Sequence, residues 1–552
     1  MKLMLRTILL TLLCHGLLAQ SPQPPDPSTL ARVEGRVTNS VTGETLRKAE
    51  VQLHGGAGGE YSATSDGSGH FVIDQVAPGS YNLTAQHQNF APQNYGATRS
   101  GLPGTRITLT AGQKLSSLEL KLIPFGVISG KVVDQDGDPV TGVPITVMHW
   151  GFMRGGRQLL PSGGGASTND RGEFRIYNLP SGRYFVLARP MQIDRYAMSG
   201  IMPGGKTPVT EREQVREEYA MTFYPSAPDV TAAAAVLLNA GQEASGRDIQ
   251  LRKTRVFTVQ GRVAGSQKGP RVSLSMQPVD ATSSGVFGMG RAASMRQKDG
   301  NFTFRGIVPG RYMLVAMTNN RVDGRQEISV GDSDLTGIVV TLTEPGSIKG
   351  KVLFEPGSTA KPPILKGLRV SLTPLDGVPM NVPSANTADD GSFGLDEVPA
   401  DRFKVNSSPL DGAYLKTIRW NGQAASDGTV EMIGGGTGTL ELEFASTTAE
   451  IDGDVKADDQ PAPGASVLLV PASRREYDFR FMMADQNGHF SAKGVAPGGY
   501  TLLAVDTAIY AMPDAALLKA LEKFSTYVTV DQSGQATASL KLIPEAEIEA
   551  VQ

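Results

Sequence analysis

The sequence predicts an all-β protein, an array of five tandem two-sheet β-sandwiches with short helices inserted in their loops. Three observations carry this. The stretch GHFVIDQVAPGSYNL at 69–83 recurs as GEFRIYNLPSGRYFV at 172–186, GNFTFRGIVPGRYML at 300–314, GSFGLDEVPADRFKV at 391–405 and GHFSAKGVAPGGYTL at 488–502. In every copy a Gly stands two residues before a Phe (Phe71, Phe174, Phe302, Phe393, Phe490). An aliphatic residue follows that Phe by five positions and an aromatic by ten (Tyr81, Tyr184, Tyr312, Phe403, Tyr500). A second mark precedes each copy by 36 to 44 residues: VEGRV at 33–37, ISGKV at 128–132, VQGRV at 259–263, IKGKV at 348–352 and IDGDV at 451–455. Two marks at a kept distance, five times over, are the signature of a repeat array.

The third observation is period-two alternation. In the first copy Phe71 and Ile73 share one face, Ala77-Pro78-Gly79-Ser80 turns the chain, and Tyr81, Leu83 and Ala85 alternate again, which reads as a hairpin with one buried face. Acidic residues just ahead of the Gly (Asp66, Asp170, Asp299, Asp389, Asp485) suit the turn, because their side chains accept local backbone amides. Each unit then returns on another alternating strand, as in RITLTAGQKLSSLELKL at 106–122 and YVTVDQSGQATASLKL at 527–542. About seven strands per unit makes a two-sheet sandwich. The 64 Gly of 552 residues fit many tight turns better than helices.

Taken in order, Lys2, Arg6 and the apolar run ILLTLLCHGLLA at 8–19 read as an export signal over 1–19, too short to span a bilayer. Cys14 is the single cysteine and lies inside this leader, preceded by Leu13, larger than a lipoprotein signal normally carries there. The mature chain is then free of cysteine, as expected of a periplasmic or extracellular bacterial protein without disulfides. Residues 20–31, containing SPQPPDPS, form a Pro-rich linker. Sandwiches are expected at 32–125, 126–254 with an insertion, 255–344, 345–446 and 447–545, and a tail at 546–552. Two helices are expected in the excursions: MPDAALLKALEKF at 512–524, with Leu517, Leu518, Leu521 and Phe524 on one face, and TEREQVREEY at 210–219, which opens on the capping box Thr210/Glu213.

The xxGxV opening, the turn Asp136-Gly137-Asp138-Pro139-Val140, the D-x-G-x-F element and the PG-x-Y element together resemble the carboxypeptidase regulatory-like domain, a transthyretin-type sandwich. The resemblance covers nearly all of residues 32–545. It implies a fold grouped with carbohydrate-binding-like sandwiches, found as accessory modules on exported bacterial proteins and fused to zinc peptidases or outer-membrane receptors. Unit four departs from the pattern at Ala400-Asp401 and at Phe403.

Catalytic constellations are missing from the sequence. Zinc peptidase chemistry needs closely spaced His and Glu ligands and a distant His. None of His15, His54, His70, His87, His149 and His489 has a Glu three positions on. His70 and His489 share a repeat position beside the core Phe, so they are expected on the outward face. There is no G-x-S-x-G elbow and no P-loop. Asp134, Asp136 and Asp138 cluster as calcium ligands do, but the Gly falls in the wrong place and no bidentate Glu follows, which favours an ordinary polar turn. No metal and no cofactor is expected. With 52 basic and 55 acidic residues and no basic run among aromatics, neither nucleic acid nor an anionic membrane surface is an expected partner.

Glycan sites on sandwiches offer an aromatic face with polar neighbours. The two tryptophans supply the candidates: Trp150 with Phe152, Arg154 and Arg157 in HWGFMRGGRQ, read as a Gly-rich loop, and Trp420 with Arg419 and Asn421 in LKTIRWNGQ. The alternative for each is a half-buried indole that covers a sandwich edge. YDFRF at 477–481 reads as a structural strand. The functional expectation is a secreted, non-catalytic protein that binds a glycan or a cell-surface protein through unit-specific loops. A structural or adhesive spacer and an enzyme with an unrecognised site are the alternatives, and oligomeric state is left open.

Overall fold

A computed structural model describes residues 29–548, except 56–58, 98–99, 102–103, 154–155, 191–216, 266–271, 280–290, 293, 296–298, 319–320, 356–363, 376–381, 411, 486, 507–512, 514 and 545–546. The expected leader and all but the end of the Pro-rich linker lie outside the described residues, as does most of the tail.

The protein is all-β, and each of its sheets draws strands from one unit alone. The strands fall into five groups, at 31–124, 126–255, 257–341, 346–445 and 449–543. Each group encloses its own cluster of buried apolar side chains. A domain of this length can bury such a core without metal or disulfide.

The first unit shows the shared plan. The opening strand, Ala31–Asn39, sits between the Phe-bearing strand His70–Val76, antiparallel, and the return strand Lys114–Pro124, parallel. The second sheet centres on Glu50–Gly55 and the Tyr-bearing strand Gly79–Gln86. Opening and return strands run parallel in all five units. In the fifth unit the return strand also meets the Tyr strand, Ala504 beside Leu542, and joins the two sheets into one.

The two sequence marks sit directly opposite one another. Gly35 pairs with Phe71, Gly130 with Phe174, Gly261 with Phe302, Gly350 with Phe393 and Gly453 with Phe490. The glycine is demanded by space. A Cβ at Gly35 would fall 2.3 Å from the Leu118 carbonyl oxygen of the return strand, and one at Gly261 would fall 2.1 Å from that of Ile338 and 2.7 Å from the Phe302 ring. The phenylalanine thus lies across the bare backbone of its partner and closes the core there.

The expected hairpin between the Phe and Tyr strands is corrected by the fold: the two strands belong to opposite sheets, and the Pro-Gly segment is an arch between them. The cause is a β-bulge just before the arch. Opposite Arg32 the Phe strand spends two residues, Asp74 and Gln75, where a regular ladder spends one, and the same irregularity recurs in every unit. A bulge bends its strand and raises the twist. Its second residue is left-handed each time: Gln75 (φ 59), Asn178 (φ 59), Gly306 (φ 68), Glu397 (φ 58) and Gly494 (φ 70). The arch is then closed by the tyrosine, whose hydroxyl donates to the carbonyl four residues back: Tyr81 to Ala77 (2.8 Å), Tyr184 to Pro180 (2.7 Å), Tyr312 to Val308 (2.9 Å) and Tyr500 to Ala496 (2.8 Å). Phe403 of unit four has no hydroxyl to do so.

Three further expectations are corrected. Glu217–Tyr219, the described end of the expected helix at 210–219, is a strand paired with Lys253–Arg255; the capping box lies outside the described residues. YDFRF is not a continuous strand: Glu476–Asp478 form a 3-10 turn, closed by Asp478 N–H donating to the Arg475 carbonyl, before a strand begins at Arg480. The turn acceptors in units two and four are Asn169 and Asp390 rather than Asp170 and Asp389. The helix expected at 512–524 forms over Ala515–Leu521 with a 3-10 turn to Phe524, and Leu517, Leu518 and Leu521 pack on Leu468, Val470 and Leu503.

Candidate functional site

Trp150 lies on the strand Pro144–Met153, which pairs along its length with Gly156–Ser167. The expected Gly-rich loop is therefore a long hairpin, with Trp150 opposite Leu159 and Phe152 opposite Arg157; Arg154 lies outside the described residues. The indole is half-buried. It meets the Phe185 ring edge-on at 6.4 Å and packs on an apolar cluster of Met148, Leu159, Leu187 and Phe223 on the sheet face away from the main core.

Trp420 ends the strand Tyr414–Trp420 in the fourth unit. Asn421 (φ 48) and Gly422 (φ 79) make the tight turn to Gln423–Ala424, the backbone twist that Asn-Gly favours. The Asn421 side-chain oxygen accepts from Thr439 N–H at 2.8 Å, so its amide serves the turn. The indole is half-buried and lies over Gly438, where a Cβ would fall 1.9 Å from its six-membered ring. Arg419 is exposed. The two tryptophan groups belong to different units and build no common site.

Asp134 spends its carboxylate locally. Oδ1 accepts from Asp136 and Asp138 N–H, both at 3.0 Å, and Oδ2 from the Tyr219 hydroxyl at 3.3 Å. Desolvation opposes ionisation there, but these donors outweigh it and hold the carboxyl below the usual range. His489 lies at the surface, 46% exposed and 3.4 Å from Asp454. His149 is a half-buried imidazole edge-on to Tyr184, and burial pushes its pKa down. Among the described residues no three His, Cys, Asp or Glu side chains gather as metal ligands do.

A cleft of about 800 Å³ lies where the fourth and fifth units meet. The fourth unit lines it with residues 404–410, 412–415, 427–428 and Phe444; the fifth supplies 448–450, Tyr477, 479–481, 493–494 and 533–535. The joint that holds it is closely fitted. Tyr477 of the fifth unit packs against the core of the fourth, 3.2 Å from where a Cβ on Gly428 would stand. Tyr414 clusters with Ala445 and Ala496, and Arg475 Nη1 donates to the Lys416 carbonyl at 3.3 Å. Arg475 also lies 2.6 Å from Asp478, whose side chain is 1% exposed. Burial pushes the Asp478 carboxyl up, against the pull of Arg475 and Arg480.

The charges around the cleft are already engaged. Lys493 Nζ lies 3.3 Å from Glu450, which also accepts from Ser491 and Gln535. Lys404 Nζ donates to the Asp427 carbonyl at 2.6 Å, and Arg480 Nη1 to the carbonyls of Tyr477 and Phe479 at 2.9 and 3.1 Å. Sequence reasoning missed this site because its walls come from segments far apart in the chain; the aromatic run at 477–481 was its visible trace.

The third and fourth units meet through charge. Arg325 lies 2.8 Å from Asp401, each side chain 18% exposed, and Arg321 lies 3.3 Å from Glu397. Asp401 is the residue that breaks the Pro-Gly pattern, and its use is this contact.

Residues 32–122 match the model of the family described as the carboxypeptidase regulatory-like domain. No curated protein matches the chain. Among solved structures, similarity is found to the TIE protein of Bacillus anthracis (9% identity, 72% of this chain and 69% of that one, TM-score 0.16). It is found also to the minor pilin GBS52 of Streptococcus agalactiae (12% identity, 41% and 96%, TM-score 0.23) and to the shaft pilin SpaA of Lactobacillus rhamnosus GG (11% identity, 36% and 97%, TM-score 0.15). Likeness at that level says nothing of ligand or partner. Over residues 32–122 the first unit is similar to the carboxypeptidase regulatory-like domain, and the described strands of the four units after it form β-sandwiches built to the same plan.

Proposed function

We propose that this is an exported, non-catalytic binding protein that holds a glycan or a cell-surface ligand on its sandwich array. The observation that carries the reading is the cleft between units four and five: a concavity of about 800 Å³ is of ligand-site size, and a string of spacers needs no such recess at a closely fitted joint. The leader-like 1–19 supports export to the periplasm or the cell exterior. Trp150 and Trp420 remain candidate stacking faces, each with part of its indole exposed. The spacer reading draws on the short joins, where Phe125 alone separates the last strand of unit one from the first of unit two. Against a fully extended string, Gly464 of the fifth unit stands beside Gly96 of the first, with 2.8 Å from its Cβ position to the Gly96 carbonyl oxygen.

The test is a screen of the purified mature chain against immobilised plant and cell-wall glycans, with Trp150→Ala and Trp420→Ala alongside. Saturable capture by any member supports the reading. Capture by none, with the protein folded, favours the spacer.

A further inference from the structure

We infer that the cleft between the fourth and fifth units is a site for a neutral oligosaccharide. The inference rests on the binding reading above and gives it a place and a ligand class.

Charge decides first. Lys493 and Glu450 neutralise each other, Lys404 is held by a backbone carbonyl, and Arg480 is wrapped by its own segment's carbonyls. Lys404, Arg480 and Lys493 stand with the carboxylates of Glu450 and Asp427 in the same lining, so the cleft presents no strong field of one sign to draw an ion in. A neutral ligand meets them as they stand.

Shape and surface decide next. Phe479 and Phe481 are half-buried and both line the recess, held from behind by the apolar cluster under the helix 515–521. The same recess is lined by Asn406, Ser407 and Ser408 of the fourth unit and by Ser533 and Gln535 of the fifth. Aromatic rings with amides and hydroxyls around them match a pyranose, which presents apolar CH faces and a rim of hydroxyl groups. The packing of Tyr477 against the fourth unit's core keeps the two walls at one spacing, which lowers the cost of ordering the site on binding.

The experiment is calorimetric titration of the mature full-length chain with maltohexaose, cellohexaose, xylohexaose and chitohexaose, with a hexagalacturonate as the charged comparator. Two variants probe the cleft: Phe479→Ala removes a ring, and Ser407→Trp fills the space while leaving the rings in place. Thermal denaturation of each checks that it is folded, and Trp150→Ala and Trp420→Ala test the two rival stacking faces. At least one neutral hexaose is expected to bind, with affinity reduced tenfold or more in both cleft variants. Binding that survives in the cleft variants and fails in a tryptophan variant overturns this site and leaves the binding reading standing. Binding of hexagalacturonate alone, or of no hexaose, overturns the inference as well. A glycan or surface ligand found by the wider screen would in that case still uphold the reading it rests on.

Discussion

Phe302 and its counterparts are the residues most legible in the sequence, because one side chain answers two demands. It fills the core and covers a backbone kept bare at Gly261. Phe302→Ala is therefore expected to destabilise the third unit by about 3–5 kcal/mol in chemical denaturation, the scale for a buried aromatic. His489→Ala, on the opposite face of the equivalent strand, should cost under about 0.5 kcal/mol. A large loss from the histidine change would show the face assignment to be wrong. The tyrosine's second role was not legible. Alternation places Tyr500 in the core, but nothing in spacing alone says that its hydroxyl closes the arch through the Ala496 carbonyl, in surroundings where burial raises its pKa. Tyr500→Phe leaves that carbonyl without its donor and is expected to cost about 1–3 kcal/mol.

Strands were readable as elements while their partners were not, since period two reports which face is buried and is silent about which sheet a strand joins. The bulge that sends the Phe strand toward the opposite sheet rests on one left-handed residue, and the chain fills that place with Gln75, Asn178, Glu397 or glycine. Those residue types share no pattern a sequence reader could count. The backbone does discriminate: Gly306→Val should destabilise the third unit by about 1–2 kcal/mol, the cost of a left-handed L-residue, and β branching adds to it. Loss of stability no larger than at an exposed strand position would remove the bulge from the account. The turn ahead of each Phe strand gives a pH prediction. Asp66 accepts from the Ser68 hydroxyl and from Ser68 and His70 N–H, and these bonds hold its carboxyl below the usual range. Its folded pKa is depressed, so its contribution is present above the ordinary carboxylate pKa and fades as pH falls through the lowered value. Unit two makes the same turn with Asn169. Asp66→Asn should accordingly keep stability near neutrality and flatten the acid limb of the stability curve; an unchanged acid limb would count against this role for Asp66.

For the molecule as a whole, the repeat predicted five sandwiches and the fold contains five cores, while the joints between units could not be foreseen. Asp401 looked like a lapse in the Pro-Gly pattern and is the partner of Arg325 across the third joint. YDFRF looked like an ordinary strand, yet it places Tyr477 against the neighbouring core and its Phe residues along the cleft. Such roles depend on surfaces brought together only after each unit has folded, so no local pattern announces them. Trp150 and Trp420 were found for the opposite reason: rare residues draw the eye, whereas the cleft is lined by common ones. The molecule is a series of sandwiches in which the fourth and fifth are locked at a joint that forms the cleft. Limited proteolysis of the mature chain, followed by mass spectrometry of the fragments, tests it most directly. Cuts are expected first near 125, 255 and 345, leaving a resistant fragment of about 200 residues, the size of two such domains, and Tyr477→Ala should open a further site near 447. Early cleavage near 447 in the unaltered protein, or one indivisible core of several hundred residues, would contradict the account.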